Sequence, residues 1–274
     1  MCLVSDLTDS EFGVLRDYIY DTIGINLGNE KKSMVYSRLR TVLKDGNFEN
    51  FNKYFDYLKN DRTGEAVTQF IDKITTNHTF FMRETDHFDY FKDTVLPYIE
   101  KEYGTAKDLR LWCAACSSGE EAYTLQIIIT EYFAKDPSWN KEMLATDIST
   151  KVLDKAVAGV YSDESLRPLS DRWKKEYFRK TGGDQSAVAD SIKRNVVFRR
   201  FNLMDDRFPF KKKFQVIFCR NVMIYFDSKT RDELVNKFYD NMEQGGYLFI
   251  GHSESLNQTK TAFKYAMPAV YRKV

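Results

Sequence analysis

The stretch "LRLWCAACSSGEEAYTL" (109–125) sets two thiols three residues apart and then two carboxylates behind a single glycine. Cys113 and Cys116 have the spacing of a redox dithiol and also of half a zinc clasp. A redox dithiol places its first sulfur at a helix start, where the dipole lowers the thiol pKa. Here Cys113 falls inside an apolar run that reads as a strand. A zinc site takes about four ligands, normally a second Cys pair or a His pair. Cys2 and Cys219 are isolated, and His78, His87 and His252 have no ligand spacing. The thiols are read mainly as small strand-end residues, and no metal is expected.

The carboxylates carry more information. A dinucleotide fingerprint would be G-x-G-x-x-G, whereas this turn has Gly119 alone, followed by Glu120 and Glu121. Acids at a helix N-terminus repel a pyrophosphate but complement a cation. The turn therefore suits a nucleoside cofactor that lacks phosphates and bears a positive charge. S-adenosylmethionine, with its adenosine, sulfonium and amino-acid tail, meets that description. The next apolar run, "EMLATDI", ends in Asp147, placed to hold ribose hydroxyls. The gap from the glycine turn exceeds the roughly 20 residues of the NAD pattern, and the loop "AKDPSWNKE" accounts for it. A plainer reading is that Glu120 and Glu121 only favour a helix start and that Asp147 caps the next helix.

The elements that must position these residues fall into two patterns. Residues 1–76 read as amphipathic helices with short links. Asp9-Ser10 and Gly24 bracket the first, with Phe12, Leu15, Ile19 and Ile23 at helical spacing. "NEKKSMVYSRLRTVLKDGN" repeats the design with Met34, Val35, Leu39, Val42 and Leu43 apolar and Gly46 at its stop. Phe51, Tyr54, Phe55 and Leu58 share a face, as do Val67, Phe70, Ile71 and Ile74, which predicts a small helical bundle. From about residue 108 apolar strands alternate with helices: "LRLWCAA", "EMLATDI", "NVVFRRF", "FQVIFC" and "GGYLFIG" as strands, with "AFKYAMPAVYRKV" as a closing hairpin. "STKVLDKAVAGVY" reads as one of the helices, with Ser149 or Thr150 near its N-cap. Such alternation implies a parallel sheet covered by helices on both faces, with ligands outside the carboxyl ends of its strands. Residues 177–198, with Gly182-Gly183 between polar stretches, break the alternation and read as a small antiparallel insert or a long loop.

Composition excludes several classes. A chain of 274 residues with 43% hydrophobic and 30% charged residues is an ordinary globular protein. A net charge of +1 gives no global attraction to nucleic acid or an anionic membrane. No apolar run approaches the ~18 residues of a membrane span, and "MCLVSDLTDSEF" lacks the plan of a signal peptide. A cytoplasmic protein with reduced thiols is expected.

The motifs "LWCAACSSGEEAYTL", "ATDIS", "FNL", "IFCRNVMIYFD" and "LFIGHSES", in this order, resemble those of chemotaxis methyltransferases of the CheR type. "ITTNHTFFMRETDHF" is similar to that family's linker motif, and "MVYSRLRTVLKDGNFENFNKYF" to its amino-terminal domain. The resemblance implies a Rossmann-like α/β methyltransferase sheet, a small N-terminal all-α domain for substrate recognition (1–76), a linker contributing cofactor contacts (77–107) and a methyltransferase domain (108–274) with the small inserted β subdomain. It implies S-adenosylmethionine-dependent methylation of glutamate side chains on chemoreceptor cytoplasmic helices. Asn77, Thr79 and Arg83 then match the linker residues that wrap the cofactor, with Arg83 facing its carboxylate. The family's acidic turn residue falls on Glu120 or Glu121, and its ribose-binding acid on Asp147. Asn202 and Leu203 match the pair flanking the adenine. Arg220, Asn221 and Val222 match the loop beside the methyl group, and Tyr225 the proposed active-site tyrosine. Two positions depart from the family. Ala122 stands where Pro is frequent, and "YFKDTVLPYIEKEYG" lacks the family's second active-site arginine.

A glutamate side chain, with a reference pKa of about 4.3, is already a nucleophile at neutral pH. No general base or triad is needed, and Tyr225 and Asn221 are the expected catalytic pair. Lys31 and Arg38 lie seven residues apart on the second helix, and Arg40 and Lys44 form an i,i+4 pair beside them. With the apolar set turned inward, these four cations are expected outside, where an acidic receptor helix can meet them. The insert looks shorter than in family members that grip a receptor C-terminal pentapeptide, so dependence on such a peptide is not expected. A monomer is expected. The rival reading is a non-catalytic S-adenosylmethionine-binding signalling module, separated from the enzyme by turnover of a receptor fragment.

Overall fold

The computed structural model of the chain describes residues 6–274, so Cys2 lies outside the described residues. The amino-terminal segment forms helices α1 (Asp9–Ile23), α2 (Lys32–Asp45), α3 (Phe51–Asn60) and α4 (Glu65–Ile74). Their apolar stripes close on one core that includes Leu15, Ile19, Val35, Leu39, Phe51 and Phe70. Met34, Val42 and Val67 sit half-buried at its margin. The first helix is capped one residue before the expected Asp9-Ser10. Thr8 is the N-cap, and its hydroxyl and Glu11 form a reciprocal capping box. It stops at Gly24, where φ is +72°. The second helix does not extend to Lys31. That residue lies in a separate 3-10 turn (Asn29–Lys31), so Lys31 and Arg38 do not share one helical face.

The following segment is largely helical: α5 (Thr85–Tyr90), a π-helical turn (Phe91–Val95) and α6 (Leu96–Tyr103). Phe88, Phe91, Val95, Leu96 and Ile99 are buried in the main core. The chain then runs β1 (Leu111–Ala114), α7 (Glu120–Tyr132), β2 (Met143–Asp147), α8 (Thr150–Ala158), β3 (Val160–Ser162), α9 (Asp171–Tyr177), β4 (Phe178–Gly182), β5 (Gln185–Val188), α10 (Asp190–Lys193), β6 (Val196–Arg200), β7 (Phe214–Cys219), α11 (Ser228–Asp240), β8 (Met242–Phe249), β9 (Lys264–Met267) and β10 (Val270–Arg272).

The main sheet has the order β6-β2-β1-β7-β8-β10-β9. Its first five strands are parallel, and β10 runs antiparallel to both neighbours, forming the expected terminal hairpin. Every residue of β1 and β7 is buried, as parallel strands covered on both faces must be. Trp112 anchors one face among Phe201, Phe208, Phe210, Phe214 and Phe238, and its indole N–H donates to Thr146 Oγ1 at 2.9 Å. The strand order reverses between β1 and β7, so a crevice opens beyond their carboxyl ends.

The insert is the antiparallel piece rather than a loop, a three-stranded sheet of order β3-β5-β4 with Gly182 and Gly183 turning β4 into β5. One of its strands comes from a stretch that reads as helix. Gly159, with φ +60°, ends α8 early, and Val160-Tyr161 becomes β3. Among the described residues no helix is long and apolar enough to cross a membrane.

Candidate active site

A cleft of ≈ 1020 Å³, open to solvent at its mouth, lies at the carboxyl ends of β1, β2 and β7. Asn77, Thr79, Arg83, Glu121, Asp147, Asn202, Leu203, Arg220, Asn221, Val222 and Tyr225 all line it, together with Ile23 and Ile25 from the end of α1. Glu120 does not. Successive helical residues point about 100° apart, so only one of the paired acids can face the cleft. Glu120 is buried behind the turn, where its carboxylate accepts from Ser118 Oγ at 2.8 Å.

The turn after β1 needs left-handed backbone at three alternate positions: Ala115 (φ +60°), Ser117 (+50°) and Gly119 (+95°). A Cβ at Gly119 would lie 2.9 Å from Ala156 Cβ, which is why this position is glycine. The turn presents the Ser117 N–H to Asp147 Oδ2 at 2.8 Å, while Ser149 N–H donates to Oδ1 at 3.0 Å. Asp147 thus ties the β1 and β2 turns together, and each oxygen keeps lone-pair capacity toward the cleft. Burial pushes its pKa up against these two hydrogen bonds. It is not the cap of α8, because Ser149 is.

The cysteines have no redox geometry. Cys113, Cys116 and Cys219 are free thiols, all buried, and burial pushes each thiol pKa well up. Cys113 donates its S–H to Glu121 Oε1 at 3.2 Å, and Cys116 forms part of the cleft wall.

The charges centre on Arg220. Its guanidinium is 1% exposed and lies 3.0 Å from Glu121 Oε2 on one side and 3.0 Å from Glu84 Oε2 on the other. It also covers the Phe88 ring at 5.2 Å. Glu84 sits in left-handed backbone (φ +58°) and accepts from Asn221 Nδ2 at 3.0 Å and from the His252 N–H at 3.2 Å. Burial opposes the Glu84 charge, but the Asn221 amide and Arg220 hold its pKa below the usual carboxylate value. At Glu121 burial prevails over Arg220, and the pKa is raised.

Other cleft residues have partners of their own. Arg83 donates to His78 O at 3.0 Å and lies 5.8 Å from the Phe80 ring. Asn202 is tied to the α1 terminus, donating from Nδ2 to Thr22 O at 2.8 Å. The Tyr225 backbone carbonyl accepts from Asn26 N–H at 2.8 Å; the residue is half-buried, and its hydroxyl has no hydrogen-bond partner among the described residues. The four surface cations divide. Lys31, Arg40 and Lys44 are exposed. Arg38 is not available as expected, because it donates to the Ile74 carbonyl, to Thr75 O at 3.3 Å and to Thr76 Oγ1 at 3.0 Å. It joins α2 to the residues between α4 and the linker, where Thr75 and Thr76 line the cleft.

Two residues here were not singled out from spacing. Glu84 and Glu254 are marked only by standing inside quoted motifs, "MRETDHF" and "LFIGHSES". Glu84, His87 and His252 also bring three donor atoms within 4.8 Å of one another. This corner is a poor cation cradle. Both Glu84 oxygens are occupied, His252 Nε2 pairs with Asp86 at 3.1 Å, and the Arg220 guanidinium stands 3.0 Å from Glu84.

His87 is fully buried, with both ring nitrogens unpartnered, edge-on to Phe249 and His252. Burial, with Arg220 adding to it, pushes its pKa down to about 4. The imidazole is therefore neutral at pH 7. Its folded pKa lies below the unfolded value of 6.5, so the unfolded chain takes up a proton first as pH falls. Stability present above pH 6.5 should decline toward pH 4 by about 3 kcal/mol from this residue, at about 1.4 kcal/mol per pKa unit. Urea unfolding of wild type and His87→Leu across that window checks this. The variant should lose the extra slope, and parallel profiles would contradict a buried neutral imidazole.

Comparison with known proteins agrees with this geometry. Residues 77–271 match the family described as CheR methyltransferase, SAM binding domain, and residues 10–75 match CheR methyltransferase, all-alpha domain. The chain is 41% identical over 271 residues to a chemotaxis protein methyltransferase of Borreliella burgdorferi, covering 98% of this chain and 95% of that one. It is 34% identical over 258 residues to a probable chemotaxis protein methyltransferase of Rhizobium etli, covering 93% and 96%. It is 33% identical over 269 residues to the chemotaxis protein methyltransferase of Escherichia coli, covering 97% and 91%. The acidic single-glycine turn, the linker folded over it and the whole-length similarity lead to one conclusion: the chain belongs to the CheR methyltransferase family and is an S-adenosylmethionine-dependent protein-glutamate O-methyltransferase of chemotaxis.

Proposed function

We propose a division of labour within the cleft for methyl transfer to glutamates on chemoreceptor cytoplasmic helices. The convergence of every candidate cofactor residue except Glu120 on one cleft at the sheet's switch point carries this reading. The residues fit S-adenosylmethionine. Buried Asp147 and half-buried Glu121 offer acceptors for ribose hydroxyls and for positive charge, and the single glycine gives no pyrophosphate cradle. Asn202 and Leu203 flank the adenine. Asn77, Thr79 and Arg83 close the linker over the amino-acid tail, with Arg83 facing its carboxylate.

When bound, the cofactor supplies a methyl group already activated by the sulfonium. The protein has only to hold a carboxylate in line with it. Tyr225, with its uncommitted hydroxyl, orients the incoming glutamate, and Asn221 fixes the donor side. The wall formed by Ile23, Ile25, Phe88 and Val222 keeps water out as charge is neutralised. Removing the ribose partner with Asp147→Ala should cost on the order of 1–3 kcal/mol of cofactor binding by calorimetry. Tyr225→Phe should lower turnover far more than affinity. Unchanged binding in the first variant, or equal losses in the second, would contradict these roles.

For the receptor helix, Lys31, Arg40 and Lys44 supply exposed positive charge on and beside α2, within a chain of net charge +1. Each exposed pair with a receptor glutamate is worth only ~0.2–1 kcal/mol, so the contact chiefly orients the substrate and weakens with salt. Combined Arg40→Glu and Lys44→Glu should slow methylation of a receptor fragment at low salt while cofactor affinity is retained. A wild-type rate across low and high salt would place the substrate elsewhere.

A further inference from the structure

The loop that carries Asn221, Val222 and Tyr225 leaves β7 in an unusual way. Asn221 adopts left-handed backbone (φ +58°), and the chain then makes a short 3-10 turn over Met223–Tyr225. No side chain of the turn's own N-cap satisfies its leading N–H groups. Glu254, from the loop after β8, takes the Ile224 N–H instead, together with the Asn221 N–H just before the turn. Glu254 Oε2 accepts from Asn221 N–H at 3.1 Å and from Gly251 N–H at 2.5 Å, and Oε1 accepts from Ile224 N–H at 3.2 Å. The side chain is 7% exposed, and no cation pairs with it among the described residues. Burial pushes its pKa up, and the three N–H groups oppose that. Gly251 presses on the same loop. A Cβ there would lie 2.3 Å from Asn221 Nδ2 and 2.9 Å from its backbone N.

A buried carboxylate is a costly way to hold a loop, so its use here needs a reason. Only a group with acceptors on both ends, and no donor, can take all three N–H groups. An amide of the same shape turns an NH2 onto one of them. We infer that Glu254 is a positioning residue for methyl transfer, clamping the backbone at Asn221 and Ile224 so that the Tyr225 hydroxyl is presented to the reacting carboxylate. This rests on the proposed role of Tyr225. The clamp holds one side of the loop. The Asn26–Tyr225 hydrogen bond and the Ile25–Phe226 bridge hold the other, so the loop is fixed between α1 and β8.

The test uses Glu254→Gln in the full chain, with two readouts. In cofactor-free protein, amide exchange in the 221–226 peptide should quicken on the order of tenfold as the clamp opens. Turnover on a receptor fragment should fall by about tenfold with cofactor affinity changed less than about threefold, and in a Tyr225→Phe background the same substitution should cost less than about threefold, because it acts through that tyrosine. Unchanged exchange, or an equal loss of turnover in both backgrounds, would overturn the inference. Tyr225→Phe with full turnover would remove the tyrosine's role, while the exchange measurement still decides whether Glu254 holds the loop. Gly251→Ala, which pushes Asn221 from the same side, should lower turnover with affinity retained and guards against a Glu254→Gln chain that does not fold.

Discussion

The buried Arg220 guanidinium, held between Glu84 and Glu121, is the constraint on which the rest of the site depends. It leaves the end of β7 and meets the linker on one side and the first turn of α7 on the other. Buried ion pairs contribute little net stability, because desolvation offsets their attraction. Their value here is geometric. With one cation between two carboxylates, linker, helix and strand can meet in only one arrangement. Glu121 on one side of that cation and Asp147 at the end of β2 set two carboxylates into the cleft wall. Arg83, on the same cleft wall, stands apart from this cluster and donates to His78 O.

The helical bundle belongs to this construction. Ile23 at the end of its first helix and Ile25 just beyond it form cleft wall, and the Asn202 amide donates to Thr22 O. Tyr20 Oη donates to Asp227 at 2.9 Å, on the N-cap of α11. Arg38 ties α2 to residues 74–76, just before the linker. One side chain thereby joins α2 to the segment whose Thr75 and Thr76 form cleft wall.

Much of this was legible in the sequence because it is local. Apolar residues at helical spacing marked α1 to α4, and unbroken apolar runs marked the parallel strands. The turn's single glycine and two acids indicated a cationic, phosphate-free ligand before any motif was matched. The features that spacing did not reveal depend on distant partners. Nothing near Arg38 indicates that it will reach residues 36 positions away. Glu254 and Glu84 acquire meaning only when β8 and the linker close on the β7 loop. Val160-Tyr161 reads as helix, and it becomes a strand because β5 supplies hydrogen bonds that a propensity argument cannot see. The choice between Glu120 and Glu121 was set by helix phase against the sheet, which only the fold determines.

Calorimetry of S-adenosylmethionine binding to folded Arg220→Met, in buffers of different ionisation enthalpy, tests the central claim most directly. Without the guanidinium, Glu84 and Glu121 face each other uncompensated and take up protons, because burial and like charge both raise carboxylate pKa values. The account predicts an affinity at least about tenfold weaker, accompanied by proton release on binding that wild type lacks. An affinity equal to or tighter than wild type, with no proton release, would show that the cleft is organised by something other than this buried charge.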